Sequence, residues 1–346
     1  MMMKLATMWL STSIAAAAPT PDVPVDANPV LEDRFPQHSV AFGSDVESLP
    51  DLLYSVSPGF RPLRLDLYRP RKAGSTAAGL PLIVYVHGGG WQAGHTRHAG
   101  AFANWPGVLA LLASKGYVVA SIEYRLSGEA RFPAAIQDVK TSIRWLRSKS
   151  AQFGIDPTRA IIWGGSAGGH LAALAATSCK VEPLAPEFLK RGSPDPQSPL
   201  ATQSVCVQGL VSWYGIFDFV NGPLSGPPEQ SASSAVGKFL GCAPADCKSA
   251  AELASPVSHL DKDDPPALLI HGELDKVVPV AQSLLFHEAL QSKKVAAKLL
   301  VIKGVDHSFI GADAEATRRA SLQALTATFE FIDATVGKKG SASPSR

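Results

Sequence analysis

From Trp163 to His170 the chain reads W-G-G-S-A-G-G-H. Arg159–Trp163 before it (R-A-I-I-W) is a short apolar run suited to a buried parallel strand. Leu171–Thr177 after it (L-A-A-L-A-A-T) is helix-forming. Ser166 therefore falls in a very tight strand-to-helix turn. Such a turn needs small residues two places before and two places after its centre. Gly164 and Gly168 meet that need and give G-x-S-x-G, a nucleophile elbow. A glycine-rich turn can produce the same pattern by chance. It gains chemical meaning only with a base, an orienting acid and oxyanion donors elsewhere.

The rest of the chain alternates strand-like and helix-like runs. Leu63–Tyr68 alternates as an edge strand would, and Leu82–Val86 is a buried strand. Val108–Ser114 is helical, Tyr117–Ile122 a strand, and Phe132–Ser150 a long helix opened by Pro133. Val207–Trp213, Ala267–His271 and Lys298–Ile302 are strands. Val280–Ser292 and Glu315–Val336 are helices. This alternation predicts an α/β fold, a mostly parallel central sheet with helices on both faces. No repeat and no second domain are visible. Two long stretches, 179–205 and 218–255, break the rhythm and are expected as lid-like loops.

With 346 residues, 46% of them hydrophobic, the chain can bury a sizeable core. Lys and Arg number 32 against 30 Asp and Glu, a net charge of +2. That balance supplies no strong field, so no nucleic-acid partner is expected. Residues 1–17 join Lys4 to an apolar run too short to span a bilayer, closing on an A-x-A site at Ala15–Ala17. This is a signal-peptide pattern. Removal of that segment predicts a secreted or periplasmic protein without stable membrane insertion. Residues 18–40, with Pro19, Pro21 and Pro24, are expected to be flexible. Residues 41–337 form the catalytic domain, and 338–346 a disordered tail.

Four cysteines suit an oxidising compartment. Cys242 and Cys247 lie in G-C-A-P-A-D-C and close a small loop. Cys179 follows the elbow helix and Cys206 begins the next apolar strand, so they form the other expected pair. The cysteines lack paired C-x-x-C spacing, so no metal and no cofactor are expected.

In an open parallel sheet, ligands gather beyond the C-terminal ends of the strands. H-G-G-G-W, residues His87–Trp91, follows Leu82–Val86. Asp275 follows Ala267–His271, and His307 follows Lys298–Ile302. A serine hydroxyl needs a neighbouring base, which His307 can supply. Asp275 can hold the imidazole tautomer. It is preferred to Glu273 and to Asp306, which adjoins His307 but would point elsewhere. Gly89 and Gly90, with the N–H of Ala167, are the expected oxyanion donors. His170, one helical turn past Ser166, reads as a packed support. His271 reads as a residue that orients its loop. His95, His98, His259 and His287 read as surface residues. No G-x-G-x-x-G opens a helix and no Lys-Ser or Lys-Thr follows the glycines, so a phosphate loop is excluded.

L-D-L-Y-R-P, H-G-G-G-W, E-Y-R-L, F-P-A-A-I-Q-D, G-G-S-A-G-G-H, H-G-E-L-D-K-V-V-P and G-V-D-H-S-F together resemble α/β-hydrolase serine carboxylesterases. The nearest branch is similar to bacterial esterases and acetylesterases related to feruloyl and acetylxylan esterases and to hormone-sensitive-lipase-like enzymes. The resemblance spans roughly Leu63 to Ile332, and the motif order Ser, Asp, His is that of the α/β-hydrolase fold. It implies Ser166, Asp275 and His307 as the catalytic triad, with Gly89, Gly90 and Ala167 as the oxyanion hole. The expected substrate is a small-molecule or polysaccharide-linked ester with a short-chain or small-aryl (acetyl or feruloyl) acyl group. The segment before Leu63 is too short for the helical cap of the hormone-sensitive-lipase group, so no separate N-terminal cap is expected. H-G-G-x-W also occurs in kynurenine formamidases, which keeps arylformamide or peptide-like amide cleavage open. A catalytically silent hydrolase fold acting as a binding module is the alternative from another class. Ser166 itself excludes a dienelactone hydrolase, which would carry cysteine there.

Overall fold

A computed structural model of the chain describes residues 39–43, 45–57, 59–71, 79–100, 102–186, 199–224 and 231–337. The expected signal peptide, most of the flexible segment that follows it and the C-terminal tail lie outside the described residues. The stretch before Leu63, in which an N-terminal cap would fall, is described from residue 39, and its described part forms strands. Among the described residues no helix is long and apolar enough to cross a membrane.

The apolar runs become one sheet. In chain order its strands are β1 (Val40–Phe42), β2 (Val46–Ser55), β3 (Leu63–Pro70), β4 (Leu80–Val86), β5 (Val118–Ile122), β6 (Ile155–Gly165), β7 (Gly209–Trp213), β8 (Ala267–Gly272) and β9 (Ala297–Ile302). Their spatial order is β1-β2-β3-β5-β4-β6-β7-β8-β9. The first three strands run antiparallel, and β5 through β9 pair in parallel. The helices that cover the sheet are α1 (Trp105–Ser114), α2 (Ala134–Ser148), α3 (Ala167–Thr177), α4 (Ala235–Leu240), α5 (Lys248–Ala254), α6 (Ala281–Ser292) and α7 (Ala314–Val336).

Side chains alternate along each strand and feed two cores. Val84, Val86 and Ile162 meet Val139 of α2 and Leu171 of α3 on one face. Ile83, Tyr85, Ile161 and Trp163 meet Trp105 and Leu109 of α1 and Ile332 of α7 on the other. β4 is buried along its whole length, as both covered faces require of a central parallel strand.

Leu63–Tyr68 departs from its expected position. It lies inside the sheet as part of β3, flanked by β2 and β5. The strand beyond it, β2, escapes a sequence reading because Pro50 interrupts its pattern. The chain resolves this with a register shift between Leu49 and Leu52. Asp51 adopts φ 57° there, and its N–H donates to Asp66 Oδ1 at 2.8 Å. The long helix starts at Ala134 and stops at Ser148, with a separate turn at Ser150–Phe153.

Of the two expected loop stretches, 187–198 and 225–230 lie outside the described residues. The second stretch contains α4 and α5, so it is partly helical. Cys242 and Cys247, between those helices, are disulfide-bonded. Cys179 is bonded to Cys206, which ties the end of α3 to the segment leading into β7. The Arg147 guanidinium reinforces that junction by donating to the carbonyls of Ser204 (2.7 Å) and Cys206 (2.8 Å).

Candidate functional site

The turn between β6 and α3 holds Ser166 at φ 56°, ψ −123°, a left-sided conformation that costs energy for any residue with a side chain. Its surroundings explain the glycines. A Cβ on Gly164 would sit 2.3 Å from the Gly168 carbonyl oxygen, and one on Gly168 would sit 2.1 Å from that of Val86. The Ser166 N–H donates to the Trp213 carbonyl at 2.9 Å, which fixes the turn on the neighbouring strand.

Three side chains from three loops meet at this point. Ser166 Oγ lies 3.0 Å from His307 Nε2, and His307 Nδ1 lies 2.8 Å from Asp275 Oδ2. A carboxylate only accepts, so Nδ1 carries the imidazole proton and Nε2 is left to accept from the serine hydroxyl. Asp275 Oδ1 accepts from the N–H groups of Val277 (2.9 Å) and Val278 (2.8 Å). His271 Nε2 lies 3.2 Å from Asp275 Oδ2 and 2.8 Å from the Val278 carbonyl oxygen. Both partners accept, so that nitrogen is protonated. Burial alone would raise the Asp275 carboxyl, but the hydrogen bonds from His271 and His307 outweigh it. They hold the group well below the usual carboxylate range. Asp275 is therefore a fixed anion behind the imidazole.

Asp306 has another task. Its Oδ1 accepts from the N–H groups of Lys276 (2.9 Å) and His307 (2.7 Å), so it fastens the two loops together. Glu273 accepts from the Gly304 N–H at 3.1 Å. Neither carboxylate bonds the imidazole.

Gly89 and Gly90 adopt φ 110° and 59° and border the same cleft as Ser166. The Gly89 carbonyl closes the loop by accepting from Gln92 (3.0 Å) and Ala93 (3.1 Å). Ala167 is the first residue of α3, where a helix leaves its N–H groups unsatisfied. Among the described residues the N–H groups of Gly89, Gly90 and Ala167 have no acceptor. The cleft encloses about 630 Å³ and is walled by Tyr85, His98, Tyr214, Val277 and Ile310.

His170 is fully buried. Its Nε2 donates to the Ala254 carbonyl at 2.8 Å, and its Nδ1 accepts from Trp91 Nε1 at 3.2 Å. Burial pushes its pKa down to about 4, against the opposing hydrogen bond to Ala254. His87 is likewise lowered to about 4 by burial, stacked on Tyr124 at 4.4 Å. His95 and His98 are exposed, as expected. His259 and His287 are instead half-buried, because each turns a ring nitrogen toward a backbone carbonyl, at 2.8 Å for His259 and 3.4 Å for His287.

Tyr214 is the site residue that the sequence hides. It follows β7, where no motif marks it. Its backbone takes φ 38°, and its ring packs against His307 at 4.7 Å. Burial raises its phenol well above the ordinary range, so it stays protonated beside the imidazole.

The family model described as BD-FAE matches residues 65–290. Esterase LipQ of Mycobacterium tuberculosis is 31% identical over 284 residues, covering 82% of this chain and 62% of LipQ. Esterase LipC of the same organism is 31% identical over 252 residues, covering 71% of this chain and 56% of LipC. The chain thus spans less than two thirds of the length of these relatives. Among solved structures, a truncated carbohydrate esterase from gut microbiota superposes with a TM-score of 0.67 at 28% identity. That match covers 84% of this chain and 96% of the other. A thermophilic esterase from Thermogutta terrifontis gives 0.65 at 25% identity, covering 84% and 94%.

Proposed function

The chain belongs to the BD-FAE family and has the α/β-hydrolase fold, and from that premise we propose that it is a serine carboxylic ester hydrolase. The observation that carries this reading is the unbroken line from Ser166 Oγ through His307 to Asp275, with contacts of 3.0 Å and 2.8 Å. Ser166 Oγ attacks the ester carbonyl carbon while His307 Nε2 takes its proton. Asp275 stabilises the resulting imidazolium and keeps its tautomer. The negative charge that develops on the carbonyl oxygen is met by the N–H groups of Gly89, Gly90 and Ala167. Collapse expels the alcohol, which takes the proton back from His307 and leaves an acyl-enzyme. Water then repeats the cycle and releases the acid.

The acyl group is short or a small aryl, of the acetyl or feruloyl kind. The cleft volume of about 630 Å³ supports this, being of ordinary small-ligand size. The superposition on a carbohydrate esterase supports esters attached to polysaccharides as well as small molecules. The signal-peptide pattern of residues 1–17 and the two disulfides support a secreted or periplasmic protein.

The test is a kcat/KM profile over p-nitrophenyl acetate, butyrate and decanoate, acetylated xylan, methyl ferulate and formylkynurenine. Acetate, butyrate or ferulate should lead. A maximum at decanoate would overturn the acyl preference, and a maximum at formylkynurenine would overturn ester selectivity.

A further inference from the structure

Besides the catalytic cleft, a second depression opens at the C-terminal edge of the sheet. It encloses about 460 Å³ and is bordered by Gln92, Ser127, Arg131, Gly237, Lys238 and Gly241. These residues come from the segments after β4, β5 and β7, the same edge that holds Ser166. Ligands of open α/β sheets gather at that edge. A cavity at the opposite edge, beside Thr177, Cys179 and Pro266, has no such relation to the serine.

The depression adjoins the oxyanion loop. Gly90 borders the catalytic cleft, and a Cβ on it would lie 3.6 Å from Ala235 Cβ and 3.7 Å from Gln92 Nε2. Gln92 borders the second depression, and Ala235 begins the helix that carries Lys238. Gly90 thus lies between the catalytic cleft and Gln92 of the second depression.

The charge of the depression is one-sided. Among its described lining residues there are two cations and no carboxylate. The nearest acid in sequence, Glu129, is engaged by Arg61 at 2.6 Å. Lys238 Nζ donates to Gln92 Oε1 at 3.0 Å, and among the described residues neither Lys238 nor Arg131 has an acidic partner. In a chain whose formal charges nearly cancel, two cations without an acidic partner among the described residues stand over one depression. Both side chains are exposed at the depression. The Arg131 stem crosses so close to Gly241 that a Cβ there would lie 2.5 Å from Arg131 Cδ. Gly241 is the left-handed cap of α4, at φ 88°. The Gln92 amide steadies the Lys238 ammonium.

We propose that this depression is a carboxylate-recognition subsite of the substrate cleft, with Arg131 and Lys238 as its specificity-determining residues. The inference rests on the ester-hydrolase reading and names a substrate class for it, an ester that carries a carboxylate away from the scissile bond. Such a carboxylate has two sources, the acyl part of a dicarboxylic half-ester or the alcohol part, as in an acidic sugar or aryl acid. An ion attracted to paired cations gains modestly when exposed, more when both cations engage it.

Two matched substrate pairs separate the sources. Mono-p-nitrophenyl succinate against p-nitrophenyl butyrate places the charge on the acyl side. The 4-acetoxybenzoate anion against its methyl ester places it on the alcohol side. For each pair the ratio of kcat/KM, anionic over neutral, is measured in the wild type, Arg131→Gln, Lys238→Gln and the double variant. Active sites are counted with a fluorophosphonate, so that partial unfolding cancels. In one pair the ratio should fall about tenfold in the double variant, mostly through KM. It should also fall in the wild type as salt rises. The pair that responds identifies the source. Ratios unchanged in both pairs would overturn the subsite while leaving the ester-hydrolase reading intact. Absence of turnover on every neutral ester would sink that reading, and the subsite with it.

Discussion

Two histidines flank the Ser166 turn, and their surroundings differ. His307 has a fixed carboxylate behind Nδ1 and the serine hydroxyl in front of Nε2. His170 has an indole N–H on Nδ1 and a backbone carbonyl on Nε2. It is enclosed by Phe219 and Phe239, whose ring centroids lie 5.0 Å and 5.4 Å away. Both rings are held by two hydrogen bonds. Of the two, His307 has a carboxylate placed to stabilise a proton it gains, and it alone touches the Ser166 hydroxyl. His170 is kept neutral by burial and ties Trp91, at the end of the Gly88–Trp91 loop, to α3. The lesson is that the second partner of an imidazole decides whether it can work as a base or only as a strut.

The contrast can be broken at several points. Ser166→Ala should lower kcat by about 10⁴-fold or more, since the triad acts as a unit. A purified, folded variant that kept more than about a hundredth of the rate would remove Ser166 as the nucleophile. Asp275→Asn should cost about 10⁴-fold in kcat, because an amide stabilises the wrong tautomer of His307. Steady-state kinetics with p-nitrophenyl acetate measures both.

The neutral side of the comparison should appear in stability rather than rate. His170 and His87 take up a proton only near pH 4 in the fold, but at about 6.5 when unfolded. Between those values the unfolded chain binds more protons, so stability is full above about pH 6.5 and falls as pH drops toward 4. Each histidine contributes about 3 kcal/mol to that fall. Asp264 works in the opposite direction, because burial raises its carboxyl to about 6. Urea denaturation across this range should show the decline, and His170→Gln should make it shallower. An equal slope in wild type and variant would deny the buried neutral state.

Smaller effects sharpen the distinction. Trp91→Phe keeps an aromatic ring but leaves His170 Nδ1 without its donor. It should cost about 1–3 kcal/mol of stability, with kcat reduced less than about tenfold. A loss of kcat as large as that of Asp275→Asn would make His170 part of the chemistry. Asp306→Asn should do least. Its Oδ1 can still accept from Lys276 and His307, so kcat should stay within about threefold of wild type. If Asp306→Asn proved more damaging than Asp275→Asn, the acid would have to be reassigned.

Much of this arrangement is written locally. The glycines at 164 and 168 are required by backbone contacts within a few residues of Ser166 and against β4. The alternation of apolar runs predicts the parallel strands from β4 onward, most of which bury both faces. β2 is not legible in this way. Its proline breaks the pattern locally, and its place follows from pairing with β3. Tyr214 and the depression beside Gln92 leave no local trace either, since their neighbours come from distant parts of the chain.

The sequence by itself determined the turn at Ser166, the order of the candidate residues along the chain and the ends of the strands on which they lie. Those are consequences of steric exclusion and hydrophobic periodicity, which act over a few residues. Only the tertiary structure decided which carboxylate faces His307. Asp306 is its chain neighbour and Asp275 is 32 residues away, yet the backbone turn directs Asp306 onto N–H groups. The parallel pairing of β8 with β9 brings their two C-terminal loops together. The Asp275 carboxylate thereby meets the imidazole, and a contact of that kind is set by packing between strands rather than by distance along the chain.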